Sequence, residues 1–352
     1  MREPIWLVLL LGGVGLGSSL ICAGVGGGAG SAARAAALIV VNQGDLNLSV
    51  LDPVAAREIA TISEQQTTMH GHEAAASADG RIVYVPIYGN VGVGQPGLDG
   101  QEMLAIDIAS RKIIGKVDFG HGVRPHCVVY EPVSGMLYVT TELDNSVTIV
   151  DPRTLKIVGS IPTGQAESHM LAISHDGRRG YTANVGPGTV SVLDMTGRKT
   201  IAVIPISGKT QRISISNDDR MVFTADETKP QLAVIDTSTN KVKAWVGLPS
   251  WGYGTAATRD GRWLLVTILH GQVAVVDLGT LKIARTIDLP GAPQEIVVNP
   301  DGKVAYVSCI REGQVGQVAV IDLAPRDVAQ WKVQSLIDAG RGADGLAWAS
   351  GQ

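Results

Sequence analysis

The sequence predicts an all-β fold: a seven-bladed β-propeller of four-stranded antiparallel blades. Three observations lead there. An aliphatic residue followed by Asp closes a β-like run seven times, at Asp52, Asp107, Asp151, Asp194, Asp236, Asp277 and Asp322; after a longer first gap the spacing stays between 41 and 45 residues. Short strands repeating with a period in the low forties are the pattern of propeller blades. Tight-turn signals recur at one place in the repeat, at Asp79-Gly80, Asp176-Gly177, Asp260-Gly261 and Asp301-Gly302. Glycine is abundant, with 43 residues, and no long amphipathic helical pattern appears after residue 38. The repeat outweighs the length of 352 residues, which alone would suggest two domains.

Residues 1–37 stand apart. Arg2 precedes an apolar, Gly-rich stretch from Ile5 to about Val25, and the small-residue run Ser31 to Ala37 follows. This is the pattern of a secretory signal with an Ala-x-Ala cleavage site near Ala37. An uncleaved N-terminal anchor is the rival reading, whereas the bulky Ile21 before Cys22 argues against a lipoprotein signal. The expected mature domain is 38–352, periplasmic or secreted, monomeric, and without a membrane span once the signal is removed. Its cysteines, Cys127 and Cys309, fall in different blades, so the fold is not expected to be stapled by a disulfide.

The termini are expected to share a blade. Residues 38–64 supply three strands with no inner strand, and the segment Asp344 to Ser350 reads as an inner strand with no blade of its own. Joined, they make blade 1 and close the ring, which removes free sheet edges. Blade 4 represents the rest: His169 to Ser174, Arg179 to Asn184, Thr189 to Asp194 and Lys199 to Ile204 are four short alternating runs separated by turns. The Asp ending each third strand recurs in every blade and reads as a turn residue.

Met136-Leu-Tyr-Val-Thr-Thr141 and Val304-Ala-Tyr-Val-Ser308, each followed by a turn and a strand ending in Asp, resemble YVTN repeats. These belong to extracytoplasmic seven-bladed propellers, a group that includes surface-layer-like, lactonase-like and nitrous oxide reductase N-terminal propellers. The resemblance covers residues 38–350 and implies the fold; superfolds host unrelated activities, so it does not imply one function.

Aligning the blades on their inner strands places seven residues at one repeat position beside the central channel. They are His72, His126, His169, Gln211, Tyr253, Gln294 and Asp344, in blades 2 to 7 and then 1. Three of the chain's seven histidines thus share one position on consecutive blades. Neutral imidazoles converging from rigid strands suit a transition metal, and a three-His set leaves a coordination position open for water or substrate. Copper is the expected ion, with zinc or iron as alternatives. The nitrous oxide reductase propeller also carries histidine-bound copper on its axis, but this chain has fewer histidines there and no separate copper-binding domain.

Around the metal, Asp344 and Glu167 are candidate acid–base partners. Trp251, Tyr253, Arg124, Gln211 and Gln294 are candidates to bind a small-molecule ligand at the channel mouth. The insertion Gly89 to Gln101 is a candidate lid over His72. The competing reading makes these residues plain polar channel lining, and makes His70, His121 and His270 loop residues.

The expected function is a metal-dependent enzyme, an oxidoreductase or a hydrolase. The alternatives are a lactonase-like hydrolase, for which the oxygen ligands of a calcium or magnesium site are sparse, and a non-catalytic scaffold for a protein or cell-envelope partner. Nucleic acid is excluded as a partner: the formal net charge is −4 and no basic run is present. No nucleophile elbow, Walker loop or Cys-x-x-Cys sequence occurs.

Overall fold

The structure, a computed structural model, describes residues 35–351. The signal expected at residues 1–37 lies almost wholly outside this range. Ala37, however, already opens the first strand and pairs with Ala349.

Seven separate sheets form, six of four strands and one of five. Blade 1 is built as the sequence predicts, from Ala343–Ala349, Ala37–Asn42, Asn47–Asp52 and Arg57–Ser63 in that order. The antiparallel register Leu38↔Trp348 and Val40↔Leu346 closes the ring. The fifth strand of blade 2 arises because its inner strand is broken: His70–Gly71 and Ala75–Ala76 both pair with Ile82–Gly89, and His72 lies in the gap. Apolar residues alternate along the strands and pack between neighbouring blades. Between blades 2 and 3, for example, Tyr84, Met103, Val128, Leu137 and Val150 form one buried cluster.

The Asp at the end of each third strand serves the turn. Asp52, Asp107, Asp151, Asp194, Asp236, Asp277 and Asp322 all accept a backbone N–H two or three residues further on. Such Asx turns explain the repeat without any catalytic role.

A second repeated device lies at the aligned inner-strand position. Inner strands carry a bulge there: the register slips around His126-Cys127, His169, Tyr253-Gly254, Gln294-Glu295 and Asp344-Gly345. A bulge frees backbone groups and re-aims a side chain. The freed groups are taken up by a hydroxyl on the second strand. Thr140 Oγ1 accepts from Cys127 N at 2.9 Å and donates to the carbonyl of His169, one blade on, at 2.7 Å. Thr267 does the same between Gly254 N and the Gln294 carbonyl, and Ser308 between Glu295 N and the Asp344 carbonyl. A Thr or Ser on the second strand therefore stitches blades 3, 6 and 7 each to the next blade at the aligned residue.

Candidate functional site

The bulges bring four histidines together at one mouth of the channel. Ring centroids lie 4.8 Å apart for His70 and His72, and 5.0 Å for His72 and His126. His126 and His169 stack at 3.5 Å with their planes 29° apart. Tyr88, fully buried at the end of the second strand of blade 2, sets its ring edge-on against His72 at 4.8 Å and His126 at 5.3 Å. His70, read from sequence as a loop residue, belongs to this cluster.

Burial favours the neutral form of His70, His72 and His126. Burial holds His72 and His126 well below the ordinary histidine range, and each is lowered further by its histidine neighbours and by Arg212. Burial likewise lowers His70, against a weaker upward pull from Asp344. Three of the four rings carry a buried nitrogen with no hydrogen-bond partner among the described residues: His70 Nδ1, His72 Nε2 and His126 Nδ1. Other ring nitrogens are held. His72 Nδ1 faces the Gln43 amide at 3.0 Å and Asp344 Oδ2 at 3.6 Å. His169 Nδ1 meets Glu142 Oε1 in a short contact, and Tyr88 Oη donates to Glu142 Oε2 at 2.7 Å.

The expected three-imidazole ion site is not preformed. Among the described residues, no group of three or more His, Cys, Asp or Glu side chains is arranged to hold a metal ion. The reason is the stacking: His126 and His169 lie face to face, which sets their nitrogens side by side rather than aimed at one shared point.

Below the histidines the channel is closed by one guanidinium and three carboxylates. Arg212 of blade 5 reaches Glu73 of blade 2 at 2.7 Å and Asp344 of blade 1 at 2.8 Å, and it also contacts Glu295 of blade 7. Burial works against the Arg212 charge, but Glu73 and Asp344 outweigh it and raise its pKa. Burial pushes Glu73 up to about 7, against the pull of Arg212, and raises Asp344 in the same way. Arg212, Glu73 and Glu295 were missed in the sequence. Each directly follows an aligned residue, so the same repeat alignment read one position further shows all three.

The remaining predicted residues are dispersed. Tyr253 donates to Gln211, and Gln211 donates to Glu227. Gln294 donates to its own turn at Ala292. Trp251 is half exposed and lies by His270, with ring centroids 5.6 Å apart. His121 pairs at the surface with Asp144. Asp344 is buried beside His72, whereas the Glu167 carboxylate lies against Gly94 and Gly186, which separates the two acid–base candidates. Arg124 pairs with Asp99 and donates to the Gln95 carbonyl at 2.8 Å. The insertion is therefore tied across blade 3 towards blade 4, by Arg124 and beside Glu167, and not simply over His72. Cys127 and Cys309 are buried free thiols, and burial pushes each up to about 12.

Comparison with known proteins agrees with this architecture. Residues 133–259 match the family model described as the Cytochrome D1 heme domain. The uncharacterized protein YncE of Salmonella typhi is 24% identical over 196 residues, covering 53% of this chain and 54% of its own. The chain is a YVTN-like seven-bladed β-propeller. A second relative of this propeller is the dihydro-heme d1 dehydrogenase of Pseudomonas aeruginosa, 24% identical over 307 residues, covering 83% of this chain and 58% of its own. The propeller thus spans little more than half the length of these curated relatives. Among solved structures, dihydro-heme d1 dehydrogenase NirN in complex with DHE superposes with a TM-score of 0.62 at 17% identity, covering 88% of this chain and 74% of its own. Kuenenia stuttgartiensis hydrazine synthase gives 0.54 at 20% identity, covering 61% of this chain and 66% of its own. These likenesses carry the fold. Among the described residues of the propeller, no helix is long and apolar enough to cross a membrane.

Proposed function

We propose that this propeller binds a metal-centred cofactor of the tetrapyrrole class at its histidine mouth. The observation that carries the reading is the set of buried, unpartnered nitrogens on His70, His72 and His126, all on neutral rings. An unpartnered buried polar atom is costly unless something binds it. Neutral imidazole nitrogen is also the usual axial donor to a haem-type iron. The relatives whose printed names include haem d1 support the same class. His72, His126 or His169 would hold the metal, and the bound group would supply redox or small-ligand chemistry. The chain's own residues present His72 and His126 in neutral form, restrict water around them, and fix His72 and His169 through their Nδ1 atoms.

A bare transition-metal ion, copper first, is the second reading. It is favoured by one observation: His169 directs Nδ1 at the Glu142 carboxylate, as metal-bound histidines do. This reading requires the stacked rings to turn on binding. Either reading accommodates export, which rests on the apolar N-terminal stretch.

Pigment and metal analysis of the full chain as purified, without a His tag, tests the proposal. About one extractable tetrapyrrole per chain is expected. Copper, zinc or iron without a tetrapyrrole supports the second reading, and neither pigment nor metal after reconstitution overturns both.

A further inference from the structure

Three blades meet at Glu142. It lies in the short turn Glu142–Asp144 between the second and third strands of blade 3 and is 2% exposed. One carboxylate oxygen accepts from Tyr88 Oη of blade 2 at 2.7 Å, and the other meets Nδ1 of His169 on blade 4. Tyr88 stays protonated, because burial and then the Glu142 charge raise its phenol. The phenol therefore donates and Glu142 accepts. With Tyr88 donating to one oxygen, the geometry leaves the other oxygen of Glu142 as an acceptor facing His169, and a proton on Nδ1 fills it. Imidazole with its proton on Nδ1 keeps its lone pair on Nε2.

We propose that Glu142 is a positioning residue that locks His169 in the Nδ1–H tautomer, so that Nε2 is the atom His169 offers to a ligand. The assignment deepens the cofactor reading and rests on it for its purpose, although the tautomer exists without any cofactor. The neighbouring His72 differs: its Nδ1 faces the side-chain amide nitrogen of Gln43 at 3.0 Å, which can only donate, so that contact places the His72 proton on Nε2. The lock also bears on His126, which is held between the stacked ring of His169 and the edge of Tyr88. Glu142 thus sets the face of the cluster from outside it.

The test is long-range proton–nitrogen NMR on full-length chain carrying ¹⁵N-labelled histidine, with the His169 signals assigned by their absence in His169→Gln. The wild type is expected to show the Nδ1–H tautomer at His169. Glu142→Gln, of equal size but able to donate, is expected to shift His169 to a mixture or to Nε2–H, and Glu142→Asp to restore part of the wild-type pattern. Wild-type His169 in the Nε2–H form, or a His169 pattern untouched by Glu142→Gln, overturns the proposal. If Glu142→Gln does not fold, the wild-type tautomer together with Tyr88→Phe decides: Tyr88→Phe is expected to keep the Nδ1–H form, and its loss there assigns the lock to Tyr88 instead. Adding ferric protoporphyrin IX separates the two levels. A tautomer that depends on Glu142 in a chain that takes up no haem defeats the cofactor reading alone. Haem uptake with a tautomer indifferent to Glu142 defeats this proposal alone.

Discussion

Gly345 donates its backbone N–H to the carbonyl of His72 at 3.0 Å, and a Cβ added at Gly345 would sit 2.3 Å from that same oxygen. The bulge that places Asp344 beside His72 therefore also needs a glycine next to it. Blade 1 and blade 2 approach closely here, at the edge of the histidine site. Gly345→Ala is expected to push the His72 segment outward and to cost about 1–3 kcal/mol, the usual range for overpacking. Urea unfolding measures the cost, and the histidine NMR signals show whether His72 moves. Unchanged stability and spectra would mean that the two blades are not in contact there.

Arg212 holds together four blades that are remote in sequence. Arg212→Met is expected to destabilise the fold by about 3–5 kcal/mol, because it leaves Glu73 and Asp344 buried, and Glu295 half-buried, without their cation. Adding Glu73→Gln and Asp344→Asn to the same chain should recover much of the loss. Equilibrium denaturation of the single and triple variants checks this. A single variant as stable as wild type would contradict the assigned network.

Glu64 supplies a pH test with a defined sign. It is fully buried, accepts from Gly71 N between His70 and His72, and is pushed by burial up to about 7 from an ordinary 4.5. The folded chain therefore keeps a proton that the unfolded chain releases. The favourable contribution is complete below pH 4.5 and is lost as pH rises through 7, in total about 3 kcal/mol. Glu64→Gln retains an acceptor for Gly71 and removes the titration. It should match wild type near pH 4.5 and exceed it at pH 8. Parallel stability curves for the two proteins would refute this.

Arg124 ties down the Gly89 to Gln101 insertion through Asp99 and the Gln95 carbonyl. Arg124→Ala is expected to raise hydrogen exchange in residues 90–98 by tenfold or more while the blade strands stay protected, since local opening is governed by such anchoring contacts. Peptide-level exchange mass spectrometry reads the outcome. Unchanged exchange in the insertion would show that it is held by other contacts.

The fold was legible in the sequence because the blades repeat the same local chemistry: the strand-ending Asp does one turn job in all seven blades, and the Asp-Gly turn recurs in four. The aligned histidines were legible for the same reason, as odd residues at a repeated position. What the alignment could not show was ring orientation. Stacking of His126 on His169 depends on Tyr88 and Glu142, which lie at strand ends and in a turn where the repeat has no fixed residue. His70 entered the cluster because the inner strand of blade 2 breaks after Gly71. Arg212, Glu73 and Glu295 were within reach one position along, and their pairing across the channel follows from closing the ring.

The central claim is that the histidine mouth receives a metal-centred tetrapyrrole. Its most direct test is an absorbance titration of the full chain with ferric protoporphyrin IX, run beside a His72→Ala/His126→Ala/His169→Ala variant whose β-sheet circular dichroism is intact. A saturable shift of the Soret band at about one equivalent is expected in the wild type, abolished in the variant. A wild-type titration without saturation, or an identical shift in both proteins, would contradict it.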